Sequence, residues 1–250
     1  MFRKSRLEKA GAVLLALAIW QIGALLLDRS IILVTPAAVL QRLLTLLPEP
    51  DFIGAVGFSF FRIAGGYFLA LLAGSVLAVA AGHSHGLEMI LWPYIQAIKS
   101  VPVASFIILC LIWLSSDSLS VFIAFLMVLP IVYTNMLQGI KSTDAKLLEM
   151  AAVFGMGWLR KLKYIHLPHL KPYLLSACSV SIGLSWKAGI AAEVIGIPDG
   201  SIGEKLYEAK VYLSTADLFA WTAVIVFVSV LFEKMFLQAL KAFFAHLERS

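Results

Sequence analysis

Charge is scarce in this sequence. Asp, Glu, Lys and Arg make up 14% of its 250 residues, against about 25% in an ordinary soluble domain, which leaves no room for a sizeable water-soluble domain. Cysteine is nearly absent too. Cys110 and Cys178 both fall in apolar runs, where cysteines pack and do not build a disulfide framework or a thiolate metal site. No Gly-x-x-x-x-Gly-Lys-Ser/Thr phosphate loop occurs, so the chain carries no nucleotide site of that kind. His83 with His85, and His166 with His169, lack an accompanying cysteine or carboxylate cluster, and metal spacing is only superficial there. No nucleophile or acid–base pair stands out, and the chain reads as a non-enzyme.

What is abundant is apolar sequence. Hydrophobic residues reach 61%, and Gly11 to Leu27, Ile63 to Gly82 and Ser118 to Ile140 are free of charge. A bilayer core takes about 20 apolar residues of helix. The runs lack the period-two alternation of a membrane β-barrel, the only other spanning solution. The expectation is an all-α, polytopic membrane protein formed by residues 1–250 as a single domain. Six spans are predicted, near Ala10–Leu27, Val56–Ala81, Met89–Leu114, Leu119–Leu137, Pro172–Ala192 and Leu218–Ala239. Glu233 and Lys234 would then sit at the interface, the lysine snorkelling. Trp20, Trp92, Trp113 and Trp221 fit interfacial belts.

Orientation follows from lysine and arginine. The first apolar run is longer than most signal-peptide cores, and Leu25-Leu26-Leu27-Asp28 offers no small-residue cleavage site, so an uncleaved helix is expected. With six spans and the N-terminus inside, Arg3, Lys4, Arg6, Lys9, Lys141, Lys146, Arg160, Lys161, Lys163, Lys171, Lys234, Lys241 and Arg249 face the cytoplasm. Only Arg29, Arg42, Lys205 and Lys210 lie outside. This positive-inside bias puts both termini in the cytoplasm. The net charge of +5 is a topology signal, with some attraction to anionic lipid, and calls for no nucleic-acid partner.

One polar, basic island interrupts the apolar pattern on the inner side, at about residues 142–168. Thr143 or Asp144 can cap a helix running from Ala145 to about Phe154, with Leu147, Leu148, Ala151 and Ala152 on one face and Lys146 and Glu149 turned away. Gly155 and Gly157 interrupt it. A second amphipathic segment would set Trp158, Leu159, Leu162 and Ile165 against Arg160, Lys161 and Lys163. Pro168 is expected to end that segment and Pro172 to open the next span. The small residues Ala151, Ala152 and Gly155 permit close approach of another surface.

This island resembles the signature loop of ABC-transporter permeases: Glu-Ala-Ala, three residues, Gly, nine residues, then Ile-x-Leu-Pro. Glu149, Ala151, Gly155, Ile165, Leu167 and Pro168 match in spacing, and Met150 stands where the first alanine would be. Further segments resemble the permeases for nitrate, sulfonate, taurine and bicarbonate: Pro36 to Val39, Ser59 to Gly66, Gln96 to Pro102 with Ser100 in place of a proline, and Gly183-x-x-Trp186 with Ala192-Glu193-x-x-Gly196. Together they cover nearly the whole chain. The resemblance implies a MetI-like, type I importer permease in a bacterial-type cell membrane. It would pair as a homodimer with two ATPase subunits, which bind ATP and Mg, and receive cargo from an extracytoplasmic binding protein. Glu149, Met150, Ala151, Ala152, Gly155, Ile165, Leu167 and Pro168 would couple ATPase closure to rocking of the spans. On this view Glu149→Arg or Gly155→Asp uncouples transport and leaves the protein in the membrane.

Lys99 and Lys187 are charges within spans, which usually face a bundle interior or a water-filled cavity. With Ser100, Pro102 and Trp186 they form the expected substrate pathway; the competing readings are snorkelling, or pairing of Lys187 with Glu193 or a carbonyl. A helix break is expected at Ser100 to Pro102. Gly196 to Gly203 is a hinge candidate that, with Glu204, Glu208 and Asp217, could meet the binding protein or serve as a plain connector. The resemblance favours a small anion such as a sulfonate, taurine or nitrate as cargo; a pyrimidine, thiamine or riboflavin-related precursor is the alternative. A secondary transporter would show an inverted repeat or broken-helix pair, and no repeat is visible. An intramembrane enzyme would need buried catalytic residues at helical spacing, and none appear.

Overall fold

The computed structural model describes residues 2–27, 29 and 31–249, and within them the side chains of residue 8 and of residues 11–247. Expectations resting on Arg3, Lys4, Arg6, Lys9, Asp28 and Arg249 fall outside the described side chains. Every regular element among the described residues is helical. In order they are α1 (Phe2–Leu27), α2 (Pro36–Leu46), α3 (Pro50–His83), α4 (His85–Ser100), α5 (Val103–Cys110), α6 (Ser116–Lys141), α7 (Ala145–Val153), α8 (Trp158–Lys161), a π-helical turn (Leu162–His166), α9 (Leu167–Gly196), α10 (Ile202–Val211) and α11 (Thr215–Arg249).

The bundle is centred on α6, which packs between α3 and α9. The most apolar stretch of α6 is 67% buried, against 22% for that of α11 at the periphery. Apolar helices gain little from leaving lipid, so close van der Waals contact has to hold them together. Small residues supply it. Gly66, Ala70, Gly74 and Ala78 recur every fourth residue along α3 and are all buried. A Cβ on Gly66 would stand 2.3 Å from the Val121 carbonyl oxygen of α6. At Gly189 of α9 it would stand 2.6 Å from Ile63 of α3. Ser84 caps α4 by accepting from the Leu87 amide at 3.4 Å, and Lys141 at the end of α6 holds Glu88 at 2.6 Å.

Four helices are long and apolar enough to cross a membrane among the described residues: 50–83, 116–141, 158–196 and 215–247. The expected third span is not one straight helix. It is the pair α4 and α5, bent by 104°. Pro102 forces its predecessor out of the helical region, and Val101 accordingly sits at φ −76°, ψ 130°. Of α1 (Phe2–Leu27), the part with described side chains that is apolar, Gly11–Leu27, has 17 residues, about 26 Å of helix. Among the described residues four single helices are long and apolar enough to cross, five counting the bent pair, and α1 is a further apolar helix beside them, where six spans are predicted. Pro168 does not end a helix either. The Leu167 amide reaches back to the Leu162 carbonyl, a π-type bond that carries the chain past the proline, so residues 158–196 run on as one helical stretch with Pro172 inside it. Trp221 is 4% exposed and stacks on Phe52 at 5.4 Å; it is a core residue, while Trp92 and Trp113 are exposed.

Candidate functional site

The loop between α6 and α9 is built by local rules. Of the two cap candidates Asp144 serves, accepting from the Lys146 amide at 2.9 Å. Gly155, at φ +61°, ends α7: its amide donates to the Ala152 carbonyl at 3.0 Å, and the Met156 amide to the Ala151 carbonyl at 2.9 Å. This is the paired C-terminal bonding that a left-handed glycine permits. Ala151 is fully buried. Leu148, Met156, Leu162 and Ile165 are half-buried, but several other apolar side chains are not turned into the protein. Val153, Phe154 and Leu159 are 84%, 77% and 76% exposed, and Leu147, Met150 and Trp158 are also open. Of the apolar face predicted for the second segment, Leu162 and Ile165 are half-buried, whereas Leu159 and Trp158 stay open, Trp158 with its ring near those of His83 and His166. Thr143, Leu147, Met150, Met156, Tyr164, Ile165, Pro168 and His169 line a hollow of about 490 Å³. It brings Met150, Ile165 and Pro168 of the signature together. Glu149, Ala152 and Gly155 lie on the exposed side, and Leu167 is half-buried.

The intramembrane lysines occupy two separate places. Lys99 is exposed in the last turn of α4, just before the elbow, where the helix C-terminus favours a cation. Ser100 donates to the Gln96 carbonyl at 2.8 Å, and Pro102 is exposed at the start of α5. Lys187 is exposed on α9 and borders a groove of about 390 Å³ with Trp186, Ser229 and Glu233. Trp186 itself is 1% exposed, packed near Phe60 at 6.1 Å, and belongs mainly to the core. Glu193 is not the partner of Lys187. Its Oε2 accepts from Ser59 Oγ at 2.6 Å and from the Gly203 amide at 3.4 Å.

That last contact is part of a buried clamp. Ser59 Oγ also accepts from the Ile202 amide at 2.9 Å, so α3 and α9 together satisfy the free amides at the start of α10. Gly203 makes the approach feasible, since a Cβ there would lie 2.2 Å from that of Glu193. The 196–203 segment is thereby folded over the bundle, with Ile197 at φ 48° and Gly200 at φ 73° turning the chain. Ser59 and Glu193 were readable only as fragments of larger patterns. The available signal was a carboxylate inside an apolar span, which demands a partner.

The structure also carries a charged cluster that the sequence pattern did not reveal. Arg42 of α2 is hydrogen-bonded to Asp217 of α11 and reaches Glu49 at 3.0 Å and Thr45 at 3.1 Å. Partial burial works against the guanidinium charge, but the bonds and charges of Asp217 and Glu49 outweigh it and raise its pKa. Lys205 and Glu208 pair alongside at 3.4 Å. Arg42, Glu49, Lys205, Glu208 and Asp217, with Tyr212 and Ser214, line a cleft of about 170 Å³.

Residues 66–242 match the family described as binding-protein-dependent transport system inner membrane component. The chain is 30% identical over 207 residues to the putative aliphatic sulfonates transport permease protein SsuC of Bacillus subtilis (strain 168), covering 82% of this chain and 74% of that one. It is 29% identical over 220 residues to the taurine transport system permease protein TauC of Escherichia coli (strain K12), covering 86% and 80%. It is 26% identical over 194 residues to the nitrate import permease protein NrtB of Leptolyngbya laminosa, covering 74% and 68%. In fold it is similar to a chain in the crystal structure of an amino acid ABC transporter with histidines. That superposition has a TM-score of 0.55 and 19% identity, over 79% of this chain and 94% of the other.

Proposed function

The chain belongs to the family of binding-protein-dependent inner membrane transport components and is a permease subunit of an ABC importer, and from that premise we propose that two copies form a pathway for a small anion. The anion class is an aliphatic sulfonate, taurine or nitrate, carried over from the cargoes for which three relatives are named. The one observation that carries the assembly is the inner loop. Val153, Phe154 and Leu159 are almost fully exposed on a segment that also holds Arg160, Lys161 and Lys163. An apolar knob of this kind on a water-facing, basic segment is the pattern of a docking surface. Its occupant in this reading is an ATPase subunit, one per permease copy, which supplies the ATP and Mg chemistry. Glu149, Gly155 and their neighbours transmit its closure to α6 and α9. Both termini lie on the same cytoplasmic side.

Lys99 and Lys187 are the cationic groups of the proposed pathway. Both are exposed on the single chain within apolar segments, a position that calls for water or a second subunit. The mixed-charge outer cluster around Arg42, Glu208 and Asp217, with the 196–203 turn, is the proposed seat of the binding protein. The bent α4–α5 pair is the one feature shared with secondary transporters, but family membership argues for the ATP-driven class.

Native mass spectrometry of the tagged chain, extracted gently from its own membranes, tests the assembly. Two copies with two ATPase subunits are expected. A homomer without ATPase, under conditions that keep related complexes whole, overturns it. The captured binding protein, screened against sulfonates, taurine, nitrate and vitamin precursors, then tests the cargo.

A further inference from the structure

On the membrane face of the bundle, α1 stands away from α11. Among the described side chains its contact with the rest is made near its C-terminal end, where Trp20 donates to the Val34 carbonyl at 3.0 Å and its ring lies 5.3 Å from that of Phe219. Between the two helices runs a groove of about 750 Å³. Val39 and Leu43 of α2 wall its outer part, and Phe219, Val226 and Val230 of α11 form its floor. Lys234 lines its other end. From Phe219 to Lys234 is 15 residues of helix, about 22 Å, longer than the roughly 15 Å depth of one leaflet's hydrocarbon.

The polar groups of this groove are spoken for, with one exception. The Trp20 indole is bound to Val34, and the Thr222 hydroxyl donates to the Leu218 carbonyl at 2.7 Å. Lys234 has no ion partner among the described residues. The adjacent Glu233 is bonded instead to Ser179, at 3.1 Å. Lys241 lies seven residues on, two turns further along the same face, and is exposed. Because α1 meets the start of α11 with its own C-terminal half, its other end lies on the same side as Lys234. That end carries Arg3, Lys4, Arg6 and Lys9 in sequence, with Glu8 as its one carboxylate.

We propose that this groove binds one anionic phospholipid from the leaflet next to Lys234, its phosphate on the Lys234 ammonium and an acyl chain along the floor toward Phe219. A polar solute finds no hydrogen-bond partner along the floor. An acyl chain matches an apolar groove, and the phosphate supplies the one charge the groove lacks. The site is independent of the assembly proposed above, since none of its lining residues belongs to the inner loop.

The test is native mass spectrometry of the delipidated complex titrated with phosphatidylglycerol or phosphatidylcholine of matched chains. A lysine near the surface favours an anionic headgroup by about five-fold, so wild type is expected to retain phosphatidylglycerol about five-fold better. Lys234→Gln, at an exposed position, should abolish the preference. Ala223→Trp, which fills the floor, should lose retention of both lipids. Equal retention of the two lipids by wild type, or an undiminished preference in Lys234→Gln, overturns the proposal. So does unchanged retention in Ala223→Trp, or a disulfide forming between copies through Val226→Cys, which would put protein in the groove.

Discussion

Gly65 and Gly66 are neighbours on one helix and should respond to alanine with opposite signs. A Cβ on Gly66 would lie 2.3 Å from the Val121 carbonyl oxygen and 3.0 Å from the Ala124 Cβ. The nearest obstacle is backbone, so no rotamer change relieves it, and α3 must move from α6 by about 1 Å to restore ordinary contact. Overpacking of this sort costs roughly 1–3 kcal/mol, and the rigid backbone contact argues for the upper end. The better helix propensity of alanine returns up to about 1 kcal/mol, leaving a net loss of about 2 kcal/mol. At Gly65 a Cβ meets nothing within 4 Å, so only the propensity gain applies, up to about 1 kcal/mol. The two variants should thus differ by about 3 kcal/mol, more than a hundred-fold in the folded-to-unfolded ratio. Unfolding in mixed micelles with increasing dodecyl sulfate, followed by circular dichroism, reads both. Equal shifts of the same sign would refute the close α3–α6 crossing at Gly66.

Other consequences concern function more directly. At Gly155 there is open space for a side chain, but φ is +61°, so Gly155→Asn should keep ATPase coupling. Gly155→Val, which pays about 1–2 kcal/mol or more for the left-handed conformation, should lose substrate-stimulated ATP hydrolysis at unchanged abundance; equal activity of the two would remove the role of the turn. Phe154→Ala should weaken ATPase binding by roughly ten-fold or more, since burying such a side chain contributes about 1.5–3 kcal/mol, and an unchanged affinity in a pull-down titration with the purified ATPase would count against docking there. Lys99→Met and Lys187→Met should each lower the transport rate for an anion in proteoliposomes, and rates and affinities equal to wild type would take the lysines out of the pathway. Ser59→Ala removes the hydroxyl shared by Glu193 and the Ile202 amide. It should cost about 2–4 kcal/mol and speed amide exchange at the start of α10, whereas unaltered exchange would mean that the clamp holds nothing.

Much of the fold was legible because it depends on solvent. Charge-free runs such as Ser118 to Ile140 must be helical in a bilayer, where the backbone has to satisfy itself, and α6 appears there. The elbow at Ser100 to Pro102 was equally plain, since a proline restricts its own φ and its predecessor's ψ. The same rule fails after Gly157: proline predicts a stop at Pro168, but a single π-type bond from Leu167 to Leu162 carries the helix on. Trp221 was assigned to an interface by its type, while its stacking on Phe52 depends on how α3 approaches α11.

The sequence by itself determined the solvent, the helical class and the family, because composition and the short-range spacing of Glu149, Gly155 and Pro168 need no knowledge of packing. Only the tertiary structure decided that Glu193 answers to Ser59 and not to Lys187, that Arg42 binds Asp217 across 175 positions, and that Phe154 is left bare. Each of these depends on which helices cross and at what depth. Crossings are set by close contacts at residues such as Gly66 and Gly189, whose partners Val121 and Ile63 lie far away in the chain, so that even the small-residue repeat of α3 does not say which helix it meets.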